Sequence, residues 1–186
     1  MKKTVLTFGL ISGAISAAMM LATVPFIYRI GFDKGVIVGY TAIVLSLMLV
    51  FFGIRSYREN VGGGRITFGR AVAVGILITL ISCVCYVIAW EIVYFNFLPD
   101  FADKYTAYMV EKDRASGASP QQIEATVQKM KSMKALLDNP LINAAIAFIE
   151  PFPVGLIMTL ISAAILRKKK PADGLRANEP VAAEGT

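Results

Sequence analysis

The chain has 186 residues, 56% of them hydrophobic and 17% charged, with a formal net charge of +6 and no histidine. That apolar fraction exceeds the roughly 45–50% of soluble domains, and the apolar residues form unbroken blocks rather than amphipathic stripes, so lipid is their solvent. A histidine-free chain whose two cysteines, Cys83 and Cys85, sit on opposite faces of one apolar helix argues against a metal centre and a disulfide; no cofactor is expected.

Met1-Lys2-Lys3 and the apolar run that follows begin like a secretory signal, with Ser16-Ala17-Ala18 resembling a cleavage site. A signal would be shorter and would break there, whereas apolarity continues to Tyr28, so 4–28 reads as a first span. Gly9, Gly13 and Ala17 recur every four residues and form a strip for close helix contact. The second span, 36–54, carries no charge and reaches about 28 Å. The loop after it holds Arg55, Arg58, Arg65 and Arg70 against Glu59, with Gly62-Gly63-Gly64 as a turn. It lacks the Lys-Ser/Thr of a phosphate-binding P-loop and reads as an anchor for anionic headgroups.

The third span, 71–98, runs about 42 Å and carries one charge, Glu91, beside Trp90 and Tyr94, whose rings suit the interface. Segment 99–140 holds six basic and six acidic residues and forms an outer helical loop. Its first half, from Phe101 to Arg114, prolongs the third helix into water and breaks at Ser116-Gly117-Ala118. Ser119, Pro120 and Gln122 then start a second helix with a capping box. Ile123, Val127, Met130 and Leu137 line one side of it, for packing on the bundle, on the membrane surface or on a partner helix. The fourth span, 141–166, contains Glu150-Pro151-Phe152-Pro153-Val154-Gly155, a carboxylate beside a helix break at Pro151, Pro153 and Gly155. Arg167, Lys168, Lys169 and Lys170 close it as a second headgroup anchor, and 171–186 is too poor in apolar residues to fold.

The positive-inside rule places both termini in the cytoplasm: the arginine loop and the 167–170 cluster fall inside, while only Arg29 and Lys34 fall in the short outer connection. The fold class is an all-α membrane protein of four transmembrane helices, with an extramembrane helical hairpin between helices 3 and 4. Segment 1–170 forms the membrane domain and 171–186 a disordered cytoplasmic tail.

Several stretches resemble the bacterial family known as domain of unknown function 4199. They are Gly53-Ile-Arg-Ser-Tyr-Arg58, Gly64-Arg-Ile-Thr-Phe-Gly-Arg-Ala71, Trp90-Glu91, the Ser116-Gly-Ala-Ser-Pro-Gln-Gln-Ile123 helix start and Glu150-Pro-Phe-Pro-Val-Gly-Leu156. The resemblance spans about residues 2–170 and implies a four-span inner-membrane protein; no activity comes with it.

Helix arithmetic puts Glu91 about 10 Å and Glu150 about 13 Å below the outer ends of their spans, with Arg29 on the same side and Asn143 on the Glu150 face. Charge in hydrocarbon costs about 2.5–3.5 kcal/mol on insertion scales, so these residues need partners or a task. Three readings stand. Glu91, Glu150 and Arg29 form a buried polar lock in a structural or accessory protein; the two carboxylates, Glu91 and Glu150, line a wet cavity for a proton, cation or cationic solute in a small oligomeric transporter; or the glutamates pair with a charge on another membrane protein. The first leads. Enzyme chemistry is not expected, because no nucleophile elbow, nucleotide loop or metal cluster is present. The expected partners are lipid, anionic headgroups, a second copy or another membrane protein, and not nucleic acid.

Overall fold

A computed structural model describes residues 1–168; Lys169, Lys170 and the tail segment 171–186 lie outside the described residues. The helices are α1 (Lys2–Thr23), α2 (Ile27–Ile30), α3 (Phe32–Leu47), α4 (Leu49–Asn60), α5 (Phe68–Phe97), α6 (Phe101–Ala115), α7 (Pro120–Leu137), α8 (Pro140–Ile149) and α9 (Pro151–Leu166), with a 3-10 turn at Val24–Phe26. Four helical segments are long and apolar enough to cross a membrane: Lys2–Thr23, Phe32–Asn60, Phe68–Phe97 and Pro140–Leu166. The second extends past the expected limit at Ile54, because backbone hydrogen bonding continues after the hydropathy drops at Arg55.

α5 is the hub, packing against α1, α4, α8 and α9. In lipid, helix association rests on close packing and hydrogen bonds rather than on the hydrophobic effect. Both are visible here. A Cβ on Gly9 would stand 2.8 Å from the Ile81 Cβ, and one on Gly13 would overlap Cys85, so the α1 strip lets that helix sit directly on α5. On the other side of α5, Gly75 receives Thr159 and Gly155 receives Thr79. Buried hydroxyls tie α1 to both α3 and α5. Ser16 donates to Ser46 Oγ at 2.6 Å, Ser12 donates to the Ser46 carbonyl at 2.8 Å, and Ser12 meets Ser82 at 2.9 Å. Leu47, Val50, Ile54, Val74 and Ile78 fill the apolar core between α3, α4 and α5.

Two spans are interrupted, each for a local reason. Between α3 and α4, Ser12 occupies the Ser46 carbonyl and the chain tightens at Met48, a side-chain intrusion into the helical ladder. Between α8 and α9, Pro151 and Pro153 lack the N–H groups that would continue the ladder.

The third span does not continue into α6, contrary to the sequence expectation. Leu98 leaves the helical region (φ −128°, ψ 50°), so α6 begins as a separate helix. Its Phe101 packs edge-on against Trp90, with ring centres 5.8 Å apart. Gly117 (φ +79°) then turns the chain, and the capping box forms as expected: Ser119 Oγ accepts from the Gln122 N–H, and Gln122 Oε1 accepts from the Ser119 N–H. Thr126 donates to Asp113 at 2.6 Å and Lys134 to Asp103 at 2.7 Å, closing α6 against α7. Ile123, Val127, Met130 and Leu137 are half-buried. Lys112 donates to Asp33 at 3.0 Å and ties this hairpin to the start of α3. We refer to this end of the bundle as the hairpin end.

Candidate functional site

The polar residues of α5 and α8 meet along matching stripes. Tyr86 and Trp90 are four apart on α5, and Asn143 and Glu150 are seven apart on the final span, so each pair shares one helix face. Antiparallel packing brings them together in order. The Tyr86 hydroxyl donates to Glu150 Oε2 at 2.8 Å, and the Trp90 indole N–H donates to Asn143 Oδ1 at 2.8 Å. Asn143 is fully buried, and its amide donates to the Leu137 carbonyl at 3.0 Å, which clamps the end of α7 to the bundle.

Glu150 and Tyr86 sit on the wall of a cavity of about 460 Å³ at the hairpin end. α1 contributes Ser16, Met19, Met20 and Thr23; α3 contributes Phe32, Gly35 and Gly39; α5 contributes Tyr86 and Trp90; α6 contributes Phe101 and Tyr105. Phe32 packs edge-on against both Phe101 and Tyr105, with centres 5.8 and 5.2 Å apart. Among the described residues that line the cavity, Glu150 is the only carboxylate, and no lysine or arginine is present. Ser16 marks the boundary with the packed half of the bundle, where the hydroxyl network ends on the Ile43 and Ser46 carbonyls.

The expected triad of Arg29, Glu91 and Glu150 is not assembled. Arg29 is exposed on α2 and makes no ion pair among the described residues. The chain leaves the first span through the 3-10 turn and a four-residue helix, which carries the arginine away from Glu150. Glu91 lies five residues beyond Tyr86, about 7 Å along the axis and roughly 140° around it, and so faces away from the Glu150 stripe. It is half-buried, and its Oε1 has no hydrogen-bond partner among the described residues. The partner that sequence reading missed is Tyr86. It is the only tyrosine between Ala71 and Ala89, on the stripe of Trp90, and that periodicity is the signal that could have found it.

At the opposite end, the basic residues do not form one patch. Arg55 pairs with Glu59 at 3.0 Å, and Arg70 donates to the Tyr57 hydroxyl at 3.1 Å. Arg58 reaches the Leu166 carbonyl at 3.5 Å, at the C-terminus of α9. Arg65, Arg167 and Lys168 are exposed, and the Lys168 N–H donates to the Ile66 carbonyl at 3.0 Å. Lys169 and Lys170 lie outside the described residues. Among the described residues no group of three histidine, cysteine or carboxylate side chains is placed to hold a metal ion.

No curated protein and no solved structure matches the chain. One family model does, covering residues 7–168, and it contains both stripes, the cavity and the arginine loop. The chain belongs to the family described as protein of unknown function DUF4199.

Proposed function

We propose that this is a non-enzymatic solute-binding protein of the bacterial inner membrane, of the carrier class, whose site is the Glu150 cavity. Both termini face the cytoplasm and the α6–α7 hairpin lies outside, the orientation favoured by the distribution of lysine and arginine. The observation that carries this reading is that Glu150 lines an open cavity with Tyr86 and is not neutralised by Arg29. A polar lock would use its carboxylate on an opposite charge. Here one oxygen accepts from a phenol, and the described residues give the other no donor. Two further features support a site over a packing defect. The volume falls in the range of about 300–1,000 Å³ typical of small-molecule pockets, and the walls are apolar with few polar groups. The half-helix joint at Glu150-Pro151 is the arrangement by which membrane carriers place binding groups at mid-depth.

Thiol labelling tests this. In a Cys83→Ser, Cys85→Ser background, Glu150→Cys is expected to react in intact cells with a membrane-impermeant reagent added outside. Thr159→Cys, buried on α9 away from the cavity, is expected to stay unreactive until the membrane is dissolved. If position 150 is as protected as position 159, the cavity is sealed and the proposal fails.

A further inference from the structure

Building on that reading of the cavity, we infer that its ligand is an organic monocation with an apolar body, of the alkyl- or aryl-ammonium type. Charge sets the sign. Among the described lining residues the one carboxylate, Glu150, is opposed by no cation, so an anion would be repelled. Wall chemistry sets the class. Phe32, Tyr86, Trp90, Phe101 and Tyr105 present aromatic rings to the cavity, and ring faces attract cations, with tryptophan the strongest. Met19 and Met20 add polarisable, adaptable surface for an apolar body.

Bare metal ions are disfavoured by the same inventory. Calcium takes about 6–8 oxygen ligands and magnesium demands octahedral oxygen geometry. Besides Glu150, the described lining offers side-chain oxygens only from Ser16, Thr23, Tyr86 and Tyr105. These hydroxyls are neutral, so Glu150 is the one anionic ligand among the described lining residues and a divalent ion would keep an uncompensated charge in an apolar cavity. An ammonium carried on carbon needs only one counter-charge and neighbouring aromatic rings, and this cavity is lined by both.

Trp90 is the only tryptophan of the chain and lies in the wall, so the protein reports on its own occupancy. The full chain in nanodiscs of zwitterionic lipid is titrated with 4-phenylbutyl-trimethylammonium and, separately, with its uncharged isostere bearing tert-butyl in place of the trimethylammonium group. Saturable change in Trp90 emission is expected for both, at least tenfold tighter for the cation. Glu150→Gln is expected to abolish that preference and Glu150→Asp to keep most of it. Equal affinity for cation and isostere in the wild type, which requires no variant to fold, overturns the cation assignment while leaving the cavity as a binding site. No saturable response to either overturns the binding reading together with it.

Discussion

Replacing Asn143 by leucine, its nearest apolar isostere in shape, tests the clamp that holds Trp90 in the cavity wall. The wild-type side chain is fully buried and makes two hydrogen bonds, one from the Trp90 indole and one to the Leu137 carbonyl. Leucine fills the space but leaves the indole N–H without its acceptor and the carbonyl without that donor. In water-soluble cores each orphaned group costs about 1–3 kcal/mol. Interhelical hydrogen bonds in bilayers average nearer 0.6 and reach about 1.7 kcal/mol, because the separated helices find other partners. Two such bonds give a loss of roughly 1–3 kcal/mol. The assay is unfolding in detergent by increasing dodecyl sulfate, followed by circular dichroism. A cycle with Trp90→Phe isolates the indole bond, for which a coupling of about 0.6–1.7 kcal/mol is expected. In parallel, Trp90 emission should shift to the blue in Asn143→Leu as the indole loses its acceptor. Wild-type stability with unshifted emission, or zero coupling in the cycle, would refute the clamp.

The α1–α5 contact makes a sharper steric prediction. Gly13→Ala drives a Cβ into Cys85 and is expected to cost about 1–3 kcal/mol, whereas Gly69→Ala, which meets nothing within 4 Å, should be neutral or stabilising by about 0.4–1 kcal/mol. Adding Cys85→Gly to Gly13→Ala should recover part of the loss; a double variant no better than the single would remove the close approach as its cause. The ionic part of the contact between α6 and α3 depends on pH. Lys112 is raised above the ordinary lysine range, first by its hydrogen bond to Asp33 and then by that to Tyr108. A raised folded-state value means the Lys112–Asp33 pair is fully present below about pH 10.4, the unfolded lysine value, and is lost as pH climbs through the raised one. The Lys112 side-chain nitrogen followed by NMR should titrate above about pH 10.4, and Asp33→Asn should bring it back toward the ordinary lysine value; an unchanged titration in Asp33→Asn would remove the pair as its cause.

Much of the architecture was legible because its signals are local. Uninterrupted hydropathy located four spans, Ser119 and Gln122 announced the capping box that forms, and the Gly9–Gly13 strip identified the face of α1 that meets α5. What was not legible depends on azimuth and on chain direction after a break. Depth arithmetic placed Glu91 near Glu150 in height, yet depth says nothing about rotation, and Tyr86 holds the facing stripe. Arg29 looked close because it follows the first span, but the turn at Val24–Phe26 redirects it. The third span ends at Leu98, where hydropathy placed its limit, but the separate direction of Phe101–Arg114 was not legible, and the aromatic cover of the cavity, Phe101 and Tyr105, exists only because α6 then turns back.

The joint at Glu150-Pro151 divides the last span mechanically. Below it, α9 buries Pro151, Gly155, Thr159, Ser162, Ala163 and Leu166, and Arg58 holds its final carbonyl. Above it, α8 buries only Asn143 and Ala147, while Leu141 and Ile149 remain exposed. The two halves therefore answer to different neighbours: α9 is held by α4 and α5, and α8 by α5 and α7. Glu150 sits at the joint between them, so the carboxylate of the cavity wall stands where the part of the span tied to the α6–α7 hairpin through Leu137 and Asn143 meets the part packed in the bundle core.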